Sequence, residues 1–101
     1  MTDMIKEINL EARKLFARFN HPESGYKGCR EAARYYGLLV GERYEVSNVV
    51  MGASYTDVYL CGYLRPFNSV LFDFEDEDGS AHDIYRDPKY NWFLKKKVSF
   101  D

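Results

Sequence analysis

Apolar residues recur at helical spacing over residues 4–19. Met4, Ile5, Ile8, Ala12, Leu15, Phe16 and Phe19 fall on one stripe, which predicts an amphipathic helix. Thr2 or Asp3 can cap its start, and Asn20-His21-Pro22 stops it. A shorter helix is predicted over residues 26–36, with Cys29, Ala32, Ala33 and Tyr36 on one side. Gly37 is placed as the left-handed residue that ends it. Beyond Gly37 the period shortens. Tyr44 to Met51 is β-rich and roughly alternating, Gly52-Ala53-Ser54 reads as a turn, and Thr56 to Leu64 is a second strand. That strand has two sides, Val58/Leu60 and Tyr59/Cys61/Tyr63. After the turn Arg65-Pro66-Phe67-Asn68, a third strand is predicted over 69–76 and a fourth over 81–86. Asn91-Trp92-Phe93-Leu94 is an apolar segment suited to docking, Lys95-Lys96-Lys97 is a solvated run, and Val98-Ser99-Phe100 can add a last short strand.

Helices followed by short antiparallel strands predict an α+β fold. The expected architecture is N-terminal helices packed on a small curved antiparallel sheet or an SH3-like β-barrel. Helix 4–19 would cross the sheet, and Phe16, Phe19, Val46, Val58, Leu60, Phe72, Phe74 and Ile84 would be buried. At 101 residues the chain is long enough for one domain, with a helical part over 1–37 and a β part over 38–101. Its composition, 46% hydrophobic and 17% aromatic, argues against disorder. No apolar run is long enough to span a membrane, and the mixed-charge start does not read as a signal peptide. Cys29 and Cys61 read as reduced, buried thiols, in keeping with a cytosolic protein.

Charge changes the picture most. The segment 73–87 holds seven acids, Asp73, Glu75, Asp76, Glu77, Asp78, Asp83 and Asp87, against Arg86 alone, a formal charge of -6 in a chain of net -2. A concentrated anionic surface attracts cationic partners at long range. Turn chemistry sets which acids share a face. A two-residue Asp78-Gly79 turn would put Phe74 opposite Asp83. A three-residue loop, Glu77-Asp78-Gly79 with Gly79 left-handed, pairs Phe74 with His82 and Phe72 with Ile84, which keeps apolar residues together. That register sets Asp73 opposite Asp83 on the outer face, with Glu75 and Glu77 beyond. Same-face residues are then about 6.8 Å apart, a carboxylate ladder on the order of phosphate spacing. Two readings stay open: a surface that imitates nucleic acid, or a solvated edge that blocks aggregation.

Other chemistries find little support. A calcium loop centred on Gly79 fails, because Phe74 and Tyr85 occupy its anchor positions. His21 and His82 lack partners at zinc-ligand spacing, so no metal is expected. Gly25 and Gly28 follow no strand, which argues against a phosphate loop. No nucleophile, base and orienting group come together, so no catalysis and no cofactor are expected. Lys6, Arg13, Lys14, Arg18, Lys27, Arg30 and Arg34 make the helices basic, but the Asn20–Gly25 connection is too long for a helix-turn-helix. Ordinary surface pairing of Glu7 and Glu11 with Lys14 or Arg18 is the preferred account of these charges. Tyr55, Tyr59 and Tyr63 either form an aromatic peptide groove or lie under helix 4–19.

The residues Gly41–Val46, Thr56–Leu60, Phe67–Phe72 and Asp83–Asn91 resemble small uncharacterised proteins of phages and mobile elements of Firmicutes. The resemblance covers about half of the chain, through structural motifs with no assigned functional residues. It implies a context in which small acidic proteins act as inhibitors of host defence, the anti-CRISPR proteins among them. The expected function is therefore a non-catalytic, nucleic-acid-mimicking inhibitor. Its seven hairpin acids would dock in the basic groove of a nucleic-acid-binding host protein, such as a CRISPR–Cas effector, in the bacterial cytoplasm. The alternative is an SH3-like accessory module that binds nucleic acid or peptide through its basic helices or its Tyr-rich strand.

Overall fold

Leu15, Ala17 and Phe19 alternate inward, and this short alternation sets the architecture. The computed structural model describes residues 14–91. Residues 15–18 form strand β1 (Leu15–Arg18), where helix 4–19 is expected. The rest of that expected helix, residues 4–13, lies outside the described residues. The stretch Leu-Phe-Ala-Arg-Phe satisfies both a helical stripe and a period of two, so its local pattern does not decide between them. Pairing on both sides decides it: β1 lies between two other strands and is the sheet's inner ribbon.

The expected second helix is present as α1 (Lys27–Tyr35), with Gly37 at φ 74° just beyond its end. Ala33 is buried, and Cys29 and Ala32 are half-buried. Strands β2 (Arg43–Met51) and β3 (Thr56–Leu60) form the hairpin expected around Gly52-Ala53-Ser54. β3 ends at Leu60 rather than Leu64, because Gly62 takes φ 89° and turns the chain. The expected third strand is divided. Strand β4 (Phe67–Asn68) lies within the expected turn 65–68, residues Ser69–Leu71 at the start of the expected strand form a 3-10 turn, and only β5 (Asp73–Asp76) is extended. Asn68 starts that turn by accepting a hydrogen bond from the Val70 N–H. Leu71 and Phe72 are then buried consecutively, which a straight strand with one face open to solvent does not allow. The expected fourth strand reduces to one bridge, Glu75 with Ala81, before a second 3-10 turn at Ile84–Arg86.

The strand order is β4-β3-β2-β1-β5, antiparallel throughout. The fold is thus a five-stranded antiparallel sheet with one helix among the described residues, richer in strand than in helix. β2 pairs with β1 through Arg43–Glu45 and with β3 through Val46–Met51, with a bulge between Val46 and Asn48. That irregularity bends the sheet. Phe19, Val58, Leu60, Phe72 and Ile84 are buried as expected, while Phe16, Val46 and Phe74 are half-buried. Phe16 faces away from the core because it shares the outer face with Arg18. Aromatic rings organise the interior: Phe72 meets Phe19, Phe67 and Phe74 at centroid distances of 6.0, 6.4 and 6.2 Å.

Candidate functional site

The acidic hairpin forms with the expected register. Asp76 donates its N–H to the Ser80 carbonyl at 2.8 Å, Glu75 bridges Ala81, and His82 donates to the Phe74 carbonyl at 2.9 Å. Gly79 sits at φ 90°, a conformation that favours glycine. The loop is therefore Glu77-Asp78-Gly79, and Phe74 faces His82.

The expected carboxylate ladder does not form. Asp83 leaves the pairing after His82 and accepts the Tyr85 N–H at 3.0 Å, starting the second 3-10 turn. It therefore does not stand opposite Asp73. The strand acids face cations and amides from neighbouring strands. In the β1–β5 register Phe16 opposes Glu75 and Arg18 opposes Asp73, and in the β1–β2 register Arg18 opposes Arg43. Those residues share one outer face.

Arg18 donates from Nε to Glu75 Oε2 at 2.6 Å and from Nη2 to Oε1 at 3.2 Å. Arg43 Nε lies 3.5 Å from Glu75 Oε1, and its Nη2 donates to the Asp76 and Glu77 carbonyls. The Arg43 guanidinium also stacks 3.8 Å above the Phe16 ring, so it braces the hairpin from an aromatic seat. The Arg18 hydrogen bond holds the Glu75 carboxyl below its usual range, with burial opposing. The same bond raises the Arg18 guanidinium. Asp73 accepts from the Asn20 amide at 2.8 Å, and His21 Nε2 lies 2.8 Å from its other oxygen. The Asn20 bond, then the His21 bond, lowers its pKa.

His82 closes the far end. Its Nδ1 is 2.8 Å from Asp76 Oδ1, and its Nε2 is 2.7 Å from Asp87 Oδ2. Tyr90 meets the ring edge to face at 6.1 Å. The two carboxylates engage opposite nitrogens of one imidazole, so they converge on the ring and not on a shared ion. Among the described residues no three His, Cys, Asp or Glu side chains are arranged to hold a metal. Sequence reasoning missed these clasps. The signal for His82 was its placement six residues after Asp76, across the three-residue loop, and five before Asp87.

Glu75, Asp76 and Asp87 are half-buried, whereas Asp73, Glu77, Asp78 and Asp83 are exposed. Glu77 accepts the Lys14 N–H and Asp78 the Ser80 N–H, both at 2.9 Å. The arrangement is a rigid edge with an acidic tip. Its inner carboxylates serve the fold.

A second concave surface lies apart from this edge. Two adjoining cavities of about 500 and 260 Å³ share Tyr26, Tyr55 and Asn68. Tyr85 and Val70 wall the larger, and Cys29 and Asp57 line the smaller. Of the three tyrosines singled out in the sequence, Tyr55 alone reaches this groove. Tyr63 instead turns inward beyond Gly62 and packs against Tyr36, Tyr44 and Phe67. Cys29 is half-buried and Cys61 is exposed, where two buried thiols are expected.

Sheet order, hairpin and charge braces define a small mixed protein with a preformed acidic edge. The chain belongs to the family described as Bacteriophage T4 protein Y07B, which it matches over residues 14–96. It is similar to an uncharacterised 11.2 kDa protein of the segB–ipI intergenic region of Enterobacteria phage T4. The two are 38% identical over 81 residues, which span 73% of this chain and 83% of the phage protein. The likeness to phage proteins is thus shown. That relative comes from a phage of enterobacteria and not from a Firmicutes element. No solved structure matches. No helix among the described residues is long and apolar enough to cross a membrane.

Proposed function

We propose that the protein is a non-catalytic binding protein whose acidic hairpin docks on the basic groove of a nucleic-acid-binding protein of the phage's host. One observation carries this reading: the acidic edge is built before any partner arrives. Arg43 holds the carbonyls of the turn, Arg18 holds Glu75, and His82 holds both ends of the segment. A preorganised edge avoids the ordering cost that weakens association of flexible acidic tails. Its exposed carboxylates at Glu77, Asp78 and Asp83 attract a positive groove and compete there with nucleic acid. A CRISPR–Cas effector is one member of this partner class, and membership of a phage family agrees with a host target.

The geometry also selects the variants for the test. Neutralising Glu75 would disturb the fold, whereas Glu77→Gln, Asp78→Asn and Asp83→Asn keep an oxygen acceptor for every backbone N–H they bind. Wild-type protein immobilised in host lysate should retain a partner that added nucleic acid releases. The triple amide variant should lose that partner. Retention of every partner by the folded triple variant would reduce the hairpin to a solubilising edge.

A further inference from the structure

The groove between α1, the β2–β3 turn and the second 3-10 turn is separate from the acidic tip. Its rim is aromatic and uncovered: Tyr26 is 70% exposed, Tyr55 55% and Tyr85 46%. The larger cavity, about 500 Å³, falls within the range of about 300–1,000 Å³ usual for ligand clefts. Its walls are held in place. Gly25 takes φ 80°, and a Cβ there would stand 3.0 Å from Val70 Cγ2, so glycine lets the loop close on the groove. Tyr85 Oη lies 2.7 Å from Ser69 Oγ, which fixes that ring. Rings fixed in advance lose little freedom when a ligand packs on them.

Charge and hydrogen-bonding capacity select the ligand. Among the described residues no lysine or arginine lines either cavity. The carboxylate in the smaller one, Asp57, has no ion pair or hydrogen bond with any described residue. Asp57 is half-buried and adjoins Tyr55 in the same cavity. That setting repels a phosphate backbone and attracts a guanidinium or ammonium group. The Tyr26 and Tyr55 hydroxyls also have no hydrogen-bond partner among the described residues, so they can donate to an incoming carbonyl. Strand addition fits poorly. The adjoining edge strand β4 has two residues and passes directly into a 3-10 turn, which leaves no ladder to extend. A polyproline II helix needs no ladder. Its prolines have no N–H to satisfy, its carbonyls stay free to accept, and its rings pack on aromatic side chains.

We infer that the Tyr26–Tyr55–Tyr85 groove binds a proline-rich peptide segment in polyproline II form, with a basic residue beside the prolines seated on Asp57. The inference does not depend on the acidic hairpin having a partner.

The probe is a fluorescein-labelled peptide of about six prolines, roughly 19 Å of polyproline II helix, ended by one arginine. Titrated with the full-length protein, it should show saturable binding by anisotropy. On isotope-labelled protein the largest amide shifts should fall at Tyr26, Tyr55, Asp57 and Val70. Tyr26→Ala and Tyr55→Ala should each weaken binding about tenfold, the scale of one lost aromatic anchor. Should either lose its circular dichroism, the matching Tyr→Phe variant keeps the ring and should weaken binding about threefold, the scale of one hydrogen bond. Asp57→Asn should weaken the arginine peptide about tenfold and leave a peptide ended by glutamine unchanged, which isolates the charge pair. Leu64→Ala, 96% exposed and outside the groove, should bind as wild type does. The inference is overturned if the wild-type protein shows no saturable binding by about 1 mM peptide. It is overturned equally if folded groove variants bind as tightly as wild type, if the arginine and glutamine peptides bind alike, or if the shifted amides lie elsewhere. Binding of oligothymidylate in place of the peptide would make the groove a base-stacking platform and would also refute it.

Discussion

Arg18 and Glu75 meet across neighbouring strands through two hydrogen bonds, at 2.6 and 3.2 Å, on a face where the Glu75 side chain is only 13% exposed. This pair converts an acidic strand into a structural one. β5 is the last strand of the sheet, and its central carboxylate points at the arginines of β1 and β2. An edge strand with inward-held charge is also a poor template for edge-to-edge aggregation.

Glu75→Gln should therefore destabilise the protein. The amide cannot balance two guanidinium groups, and Arg18 and Arg43 would face each other with one neutral acceptor between them. The loss should be about 1–3 kcal/mol, the range for a charged hydrogen-bond partner removed from a largely buried site. Asp78→Asn, at the exposed tip, should stay within about 0.5 kcal/mol of wild type. Urea denaturation of both variants checks the contrast, and equal midpoints would refute the structural role of Glu75.

Acid should act through the same pair of carboxylates. Asp73 and Glu75 both have folded-state pKa values below their ordinary ones, set first by the Asn20 amide and by Arg18 respectively. A depressed carboxyl pKa contributes stability above the unfolded value, about 3.9 for Asp and 4.3 for Glu, and that stability is lost as pH falls through the folded value. The urea midpoint should hold from neutral pH to about 5 and decline below about 4. In Glu75→Gln the decline should be shallower, since one of the two linked protons is gone. An unchanged acid slope in that variant would remove Glu75 from the explanation.

The core predicts a larger effect. Phe72 is 5% exposed and touches three other phenylalanine rings. Phe72→Ala should cost about 3–5 kcal/mol, a large part of the ~5–15 kcal/mol that holds a domain together. The thermal midpoint should drop by at least about 12 °C for a chain of this size. A shift of a few degrees would mean that the aromatic cluster repacks around the gap.

Much of this fold was legible where a local signal and the tertiary answer agree. The Gly52-Ala53-Ser54 turn sits between two alternating runs, Gly37 follows a helical stripe, and Gly79 permits only one hairpin register that keeps Phe74 off a carboxylate. The errors share a physical origin. Leu15 to Phe19 suits a helix or a strand equally, and only pairing with β2 and β5 decides it. Once Arg18 is assigned to a helix, the partner of Glu75 is invisible, and the acids look uncommitted. Asp83 reads as a strand residue and Asn68 as the end of a turn, whereas both are short polar side chains that cap a 3-10 turn. The acidic segment was therefore found as a charge feature, but its division into braced carboxylates and an exposed tip was not.

His82 gives the last prediction. Its two ring nitrogens tie Asp76, at the turn, to Asp87, at the start of the 87–91 turn where the Tyr90 and Asn91 N–H groups donate to the Asp87 carbonyl. His82→Ala removes the shared partner and leaves two half-buried carboxylates on either side of a gap. The cost should be local as well as global, because the return segment has a single β-bridge to hold it. Amide exchange at Asp76, Tyr90 and Asn91 should quicken about tenfold or more, equivalent to at least ~1.4 kcal/mol of lost protection. The Val58 amide, in the buried β2–β3 pairing, should change only as far as global stability falls. If exchange at Tyr90 and Asn91 stays at the wild-type rate, the imidazole does not hold the segment, and the hairpin end must be secured by Ile84 and the apolar residues packed around it.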